Sequence, residues 1–192
     1  MLLGQLGKLT FRTLNNSDLP ELQKFCNSCS KLGYENNKSF ASIKLDQMEM
    51  PYGQFFVGLD NNKIFTFAGV HQLPELGDNA WRCLFRGAQL PGYTPSWSTN
   101  IFKSWIHLSH LLYYQIKFIQ DHDANAEFYI SSNVDNPLAG VSSRLDKTIL
   151  PRMQQNGLVT LNKENFMLYH TLQNVWKVNT DAYLTQRSKF ID

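Results

Sequence analysis

Two pairs of residues have side chains of the types that bind metals in proteins. Cys26 and Cys29 form a C-x-x-C pair, and His107 and His110 lie three residues apart, so that one helix face could present both rings. A structural zinc site needs four ligands, and neither pair has an evident set of further ligands. We therefore expect both pairs to lie in helices as packing residues, and we predict no metal site.

His71 and Glu75 have side chains of the types that transfer protons. They lie at the end of a predicted strand and in the loop after it, and a His or Glu side chain acts as a general base when it is held close to the reacting group. The other interpretation is that both are solvated turn residues with no chemical role. The sequence leaves both interpretations open.

A turn-rich segment, residues 89–105, precedes a long helical pattern and reads QLPGYTPSWSTNIFKSW. The start of a helix, here capped by Ser98, offers unpaired N–H groups and a positive dipole end, and a glycine such as Gly92 lets phosphate oxygens approach the backbone. Pro91 and Pro95 each remove one N–H donor. The segment is therefore typical of a phosphate-binding loop with fewer donors than usual.

Hydrophobic periodicity predicts strands and helices that alternate along the chain. The polar residues 60–62 predict a tight turn within a hairpin, Pro151 predicts a kink or division of the last helix, and Gly157 predicts its end. The predicted elements are a strand at 8–14, a helix capped by Ser17 and stopped by Gly33, a weaker helix at 39–48, strands at 54–59, 63–71 and 80–90, a helix at 98–120, a strand at 126–132, a helix at 137–156, and strand material at 165–178 that forms one strand or two.

The succession of strand, helix and strand over residues 80–132 requires two neighbouring strands of the sheet to run parallel, while the hairpin strands run antiparallel. We therefore predict a mixed α/β fold in which helices cover a mostly antiparallel sheet. One domain spanning residues 1–192 accounts for all the predicted elements.

The composition limits the functional classes. Of the 192 residues 43% are apolar, and 18 basic against 16 acidic residues give a net charge of +2. Because no run of Lys and Arg is present, we do not expect a nucleic-acid partner. No apolar stretch is long enough to span a bilayer, no signal peptide is evident, and three cysteines do not make a disulfide framework. We expect a cytoplasmic protein without a membrane partner.

The order of the elements resembles the GNAT superfamily of N-acetyltransferases over nearly the whole chain, from Lys8 to about Val178. In that family a loop of pattern Gln/Arg-x-x-Gly-x-Gly/Ala wraps the pyrophosphate of acetyl-CoA. The run Gln89-Leu90-Pro91-Gly92-Tyr93-Thr94 matches the first two specified positions and departs at the third, where Thr94 replaces a small residue. The resemblance therefore implies a cofactor loop that lacks the last of the three residues specified by the family's pattern.

A second part of the resemblance lies after the strand at 126–132. Asn136 and Ala139 fit positions of the family, while Ser143 stands where the family often has a tyrosine that protonates the departing thiolate. An alkyl hydroxyl is a far weaker acid than a phenol. We therefore do not expect residue 143 to act as the general acid.

The family's strand that holds the pantetheine of the cofactor corresponds to residues 80–90. Gly87 inside this strand predicts a bulge, and the family splays two strands near such a bulge. Tyr93 and Trp97 either stack on an adenine or cover the helix end, and residues 34–52, with Glu49, would line the acceptor side. The cofactor-binding residues that the resemblance implies are Phe85, Arg86, Gly87, Ala88, Gln89, Gly92, Tyr93, Thr94, Ser98 and Asn136.

The resemblance implies transfer of an acetyl group from acetyl-CoA, or of another acyl group from its CoA ester, to the amine of a small molecule or peptide by direct attack. His71 and Glu75 are the candidate catalytic bases, and homodimers are common in the family. The competing hypothesis is a catalytically inactive module of the same fold that binds a ligand or a protein through the same cleft. The departures at residues 94 and 143 favour this second hypothesis, but the enzyme is preferred because the family's catalysis depends largely on backbone groups.

Overall fold

The structure is a computed structural model, and it describes residues 1–6, 8–29, 52–90, 106–134 and 145–191. Eight strands form one sheet: β1 (Leu2–Leu6), β2 (Leu9–Thr13), β3 (Gly53–Asp60), β4 (Lys63–Gln72), β5 (Ala80–Gln89), β6 (Glu127–Asn133), β7 (Val159–Leu168) and β8 (Thr171–Val178). Their order across the sheet is β1-β2-β3-β4-β5-β6-β8-β7.

Four α-helices accompany the sheet in the described part of the chain: α1 (Leu19–Cys29), α2 (Ile106–Gln120), α3 (Leu150–Gln155) and α4 (Thr180–Ser188). A π-helical turn at Leu145–Ile149 leads directly into α3. Short 3₁₀ turns lie at Asn16–Asp18 and Pro74–Leu76. None of these helices is both long enough and apolar enough to cross a membrane.

The predicted hairpin and the predicted parallel pair are both confirmed. Strands β3 and β4 pair antiparallel, and Asn61 and Asn62 turn between them with φ angles of 48° and 64°, a conformation that asparagine tolerates. Strands β5 and β6 pair parallel, and α2 lies between them in the chain. The other neighbouring strands pair antiparallel.

The last helix changes its geometry next to Pro151, where the sequence predicted a kink or a division. The helical run changes from π to α geometry at Leu150, directly before Pro151, whose missing N–H cannot continue the hydrogen-bond ladder. Gly157, with φ of 69°, follows the last helical turn in the left-handed conformation that a glycine adopts without strain.

Three features differ from the predictions. Asn15, not Ser17, caps the first helical turn, because its side chain accepts a hydrogen bond from the Ser17 N–H. Helix α4 was not predicted, since it packs against α2, which lies far away in the sequence. Strand β1 was not predicted either, although it pairs with β2, the next strand along the chain. The tail forms two strands, β7 and β8, and the predicted helix at 39–48 lies outside the described residues.

The two faces of the sheet carry separate cores. On the α2 face, named for the helix that covers it, Phe56, Trp81 and Phe128 pack with residues of α2, α3 and α4. On the opposite α1 face, Phe25 of α1 packs with Phe67 and its neighbours. A smaller cluster on the same α1 face joins the ends of β4, β6, β7 and β8. The polar residues that concern function lie between these last two clusters.

Candidate functional site

The sheet opens between its two parallel strands. Hydrogen-bonded pairing between β5 and β6 covers three residue pairs and ends at Arg82 and Tyr129. Beyond them, β5 continues to Gln89 along β4 and β6 continues to Asn133 along β8, with no pairing between them among the residues described. We call this gap, between residues 83–89 and 130–133, the β5–β6 opening.

Two bulges in β5 accompany the divergence. From the pair His71–Arg82 to the pair Gly69–Phe85 the register moves two residues along β4 but three along β5. The same extra residue of β5 occurs before the next pair, Phe67–Ala88. Each extra residue bends a strand away from its regular course. Leu84, in the first bulge, has φ of 56°, which is rare for a residue with a large side chain.

Gly87 lies in the second bulge, as the sequence predicted. A Cβ atom at this position would lie 3.0 Å from the Leu84 carbonyl oxygen and 3.4 Å from Leu108 of α2. Because the nearest obstacle is backbone, which cannot turn aside as a side chain can, any larger residue would force β5 to move. The bulge therefore depends on glycine at this position.

Gln115 of α2 holds the first bulge from the α2 face. Its Oε1 accepts a hydrogen bond from the Leu84 N–H at 3.2 Å, and the residue is fully buried. Its Nε2 is buried as well and has no hydrogen-bond partner among the residues that the structure describes. Since an unsatisfied buried donor is costly, this amide is suited to receive an acceptor atom from a bound molecule. Sequence reasoning missed Gln115, because nothing in a helical pattern marks which residue meets a bulge.

His71 lies on the α1 face beside the last hydrogen-bonded pair of β5 and β6. Its Nδ1 lies 2.6 Å from the Gln72 carbonyl oxygen, and its Nε2 lies 3.2 Å from the Tyr169 hydroxyl oxygen. A carbonyl can only accept, so Nδ1 carries the ring proton and Nε2 accepts from the Tyr169 O–H. The contacts thus show that the neutral ring carries its proton on Nδ1.

Arg82 and two rings complete what we call the His71 cluster: His71, Arg82, Phe85 and Tyr169. The Arg82 guanidinium lies 5.3 Å from the Phe85 ring centre and 5.0 Å from that of Tyr169, and it donates to Gln173 Oε1 at 3.3 Å. The Phe85 ring meets His71 edge to face at 4.7 Å. These contacts bring β4, β5 and the turn between β7 and β8 together at one end of the opening.

Burial and charge set the protonation of the His71 cluster. Burial, helped by the positive charge of Arg82, lowers the pKa of His71 to about 4, against the smaller opposing effects of the Gln72 carbonyl and the Glu75 carboxylate. His71 is therefore neutral at pH 7. Burial raises the pKa of Tyr169, with Arg82 opposing and Glu75 adding to the rise, so that this hydroxyl stays protonated at pH 7.

Tyr169 reaches His71 from a strained turn. Tyr169 and His170 form the two-residue turn between β7 and β8, with φ angles of 51° and 63°. Turns of this kind favour Asn and Gly, because a positive φ is strained for other residues. Sequence reasoning missed Tyr169, since the Tyr-His pair carries none of the usual turn signals.

The other predicted site residues are placed as follows. Glu75 is exposed in the 3₁₀ turn, close enough for its charge to act on His71. The backbone of Arg86, Ala88 and Gln89 runs along the opening in β5 together with Phe85 and Gly87. Five of the predicted residues lie outside the described part of the chain: Gly92, Tyr93, Thr94, Ser98 and Asn136.

Two of the residues that suggested metal binding, Cys26 and His110, are packed in the cores. Cys26 is buried in the core between α1 and the sheet, and His110 is buried with its ring 5.7 Å from that of Phe11. Within the described ranges, no three His, Cys, Asp or Glu side chains are grouped as metal ligands would be.

No protein-family profile matches the sequence, and no curated protein matches it. Solved structures do match. An acetyltransferase of the GNAT family from Staphylococcus aureus has a TM-score of 0.58 and 15% identity, over 90% of this chain and 99% of its own. An acetyltransferase from Salmonella typhimurium that modifies the N-terminal serine of a 50S ribosomal subunit protein has a TM-score of 0.55 and 14% identity, over 93% and 97%.

A third match is the spermidine N-acetyltransferase from Vibrio cholerae in complex with CoA and spermine. It has a TM-score of 0.55 and 12% identity, over 93% of this chain and 99% of its own. At such low identity these matches establish a shared fold, and they do not identify a substrate of this chain.

Proposed function

Because this chain has the fold of the GNAT acetyltransferases, we propose that it is an N-acyltransferase that uses an acyl-CoA, acetyl-CoA first of all. The observation that carries the proposal is the β5–β6 opening. A gap between parallel strands of one sheet leaves backbone groups of residues 83–89 and 130–133 without each other as partners, and an extended amide-containing chain such as pantetheine could bind there.

The residues around the opening fit such a cofactor. The buried Gln115 Nε2, next to the Leu84 bulge, has no acceptor in the described part of the chain, and an amide carbonyl of pantetheine would supply one. Gly87 has no side chain, and it lets the β5 backbone pack closely against Leu84 and Leu108 where the strand bends along the opening. We propose that residues 85–90 hold the pantetheine arm, and that Gly92, Tyr93, Thr94, Ser98 and Asn136 also bind the cofactor, as the family resemblance implies.

When bound, acetyl-CoA would supply the thioester whose acyl group is transferred to an amine. The protein's part is to orient the two reactants and to remove a proton from the amine. Neutral His71, at the end of the opening on the α1 face, is our candidate base, while exposed Glu75 modifies its electrostatic environment. The acceptor that we propose is an amine of a small molecule or of a peptide.

The first test of this function is isothermal titration of the protein with acetyl-CoA and, separately, with CoA. We expect micromolar binding of both. Gly87→Val should weaken binding by about tenfold or more, equivalent to about 1.4 kcal/mol, because its Cβ would meet the Leu84 carbonyl. Lys177→Gln is the matched control, since Lys177 lies on the α1 face and pairs with Glu127 away from the opening.

Thermal melting of both variants would separate loss of binding from loss of folding. If folded wild-type protein binds neither compound at millimolar concentration, the acyltransferase proposal is wrong. The remaining hypothesis would then be a module that uses this fold to bind another ligand or a protein.

A further inference from the structure

We infer that Tyr169 is a catalytic residue: its hydroxyl takes the proton of the acceptor amine and passes its own proton to His71 Nε2. This inference rests on the proposed acyltransferase function. It adds a second group to the acceptor site, supplied by the turn between β7 and β8.

The hydrogen bonds give the relay its direction. His71 Nδ1 is occupied by the Gln72 carbonyl at 2.6 Å, so Nε2 has the lone pair and the Tyr169 O–H points to it over 3.2 Å. With its proton directed at His71, the Tyr169 oxygen has two lone pairs: Arg82 donates a hydrogen bond to one of them, and the other can accept from a second donor. A proton can therefore enter at the Tyr169 oxygen and leave to His71.

Exposure decides which of the two residues an acceptor meets first. Tyr169 is 47% exposed, whereas His71 is only partly accessible and has Tyr169 and Phe85 against its ring. An amine could reach His71 Nε2 only by displacing the Tyr169 hydroxyl. The hydroxyl is therefore the group that the amine contacts.

Besides the two substrates, the proton balance needs only water. As the amine attacks the thioester carbonyl a C–N bond forms and the nitrogen becomes positively charged, and one N–H bond breaks as the proton moves to the Tyr169 oxygen. The Tyr169 O–H bond breaks at the same time, and a new N–H bond forms at His71 Nε2. The C–S bond then breaks, and CoA would leave as a thiolate that takes a proton from water. Tyr169 ends unchanged and His71 ends as an imidazolium, which burial and Arg82 destabilise, so that His71 releases the proton to water.

The surroundings of Tyr169 favour this role over that of a simple surface residue. Arg82 lies 5.0 Å from the centre of its ring, where a positive charge stabilises the partial negative charge that the phenol acquires during the transfer. The positive φ of 51° is strain for a tyrosine, and strain of this kind is concentrated at functional sites.

The test compares Tyr169→Phe with wild type. Phenylalanine keeps the ring against Arg82 and removes only the hydroxyl, so we expect CoA affinity within about twofold of wild type. The rate kcat should fall by about a hundredfold, the scale of a lost general base, while KM for the amine changes much less. The assay is thiol release from acetyl-CoA with spermidine and with a peptide that begins with serine. Tyr113→Phe, a tyrosine of α2, is the matched control and should behave as wild type.

Two further measurements identify the relay itself. The double variant Tyr169→Phe/His71→Gln should be no slower than the slower single variant, because both residues act in one step. In protein with ¹⁵N-labelled histidine, the Nε2 resonance of wild-type His71 should have the shift of an unprotonated, hydrogen-bonded nitrogen, and it should move in Tyr169→Phe but not in Tyr113→Phe.

The outcomes separate the inference from the function it rests on. If wild type binds CoA and acylates an amine while Tyr169→Phe is equally fast, the relay is wrong and the acyltransferase stands. An unchanged Nε2 resonance in Tyr169→Phe overturns the relay as well. If wild type binds CoA but acylates neither amine, no proton is transferred from these amines to Tyr169, and the inference is wrong for them. If wild type does not bind CoA, both proposals fall.

Discussion

At the scale of single residues, the surroundings of His71 decide which proton chemistry the site supports. An exposed histidine is partly protonated at neutral pH, but burial and Arg82 keep this ring neutral, with its Nε2 as acceptor. The same low pKa makes the ring a weak base that releases a proton quickly. Such a ring suits a relay in which the amine nitrogen has already become positively charged by attacking the thioester, because its proton is then acidic.

The low pKa of His71 predicts a pH dependence of stability. The unfolded chain binds a proton at this residue near pH 6.5, whereas the folded protein does so only near pH 4, so the contribution of His71 is complete above pH 6.5 and is lost as the pH falls toward 4. Between pH 7 and pH 5 wild type should lose about 2 kcal/mol more unfolding free energy than His71→Gln. Urea denaturation at the two pH values measures this, and an equal loss in both proteins would contradict the pKa.

At the scale of elements, one carboxylate fastens the π-helical turn and α3 to the sheet. Asp146 accepts hydrogen bonds from Ser132 of β6 at 2.7 Å, from Asn174 of β8 at 2.8 Å and from the Trp176 indole at 3.2 Å. All three donors lie on the α2 face: Ser132 is on β6, which borders the β5–β6 opening, and the other two are on its neighbour β8. The position of α3 relative to the opening therefore depends on this residue.

Asp146→Ala should lower the free energy of unfolding by about 3 kcal/mol. The substitution leaves the buried Ser132 hydroxyl and the buried Trp176 N–H without their charged acceptor, and hydrogen bonds to a charged group contribute about 1.5–3 kcal/mol each. Urea denaturation gives the value, with the exposed Asp121→Ala as control, where a change within about 0.5 kcal/mol is expected. Similar losses in both variants would mean that the three hydrogen bonds do not stabilise the fold.

At the scale of the whole molecule, the last helix ties the C-terminal strands to α2. Tyr183 of α4 is fully buried, and its hydroxyl donates to the Ser109 carbonyl oxygen of α2 at 2.7 Å. The hydrogen bond joins residues 74 positions apart in the chain. Helices α2 and α4 thus cover the α2 face as one layer, and α2 in turn holds the Leu84 bulge through Gln115.

Tyr183→Ala should destabilise the protein by about 3–5 kcal/mol, as other large aromatic truncations in cores do. Tyr183→Phe, which removes only the hydrogen bond, should cost about 1 kcal/mol. Urea denaturation distinguishes the two values, with the exposed Gln186→Ala as the control on the same helix. A loss below 1 kcal/mol for Tyr183→Ala would show that α4 contributes little to the fold.

The sequence by itself determined the elements in the middle of the chain and the relative directions of β3, β4, β5 and β6. Alternation in β3 and β4, two asparagines in their turn, the pattern of α2 and the proline at 151 act over a few neighbouring residues, so they could be read locally. The strand-helix-strand order then required the parallel pair, and Gly87 indicated the bulge beside which that pair opens.

Only the tertiary structure decided which side chains meet. Tyr169 and His71 are 98 residues apart, and Gln115 and Leu84 are 31 apart. Such contacts depend on strand register, on the extra residues in β5 and on the conformation of one two-residue turn, and a shift of one residue in any of them would send these side chains elsewhere. Local pattern fixes where a strand lies in the chain, whereas the balance of packing across the whole sheet fixes what lies opposite it.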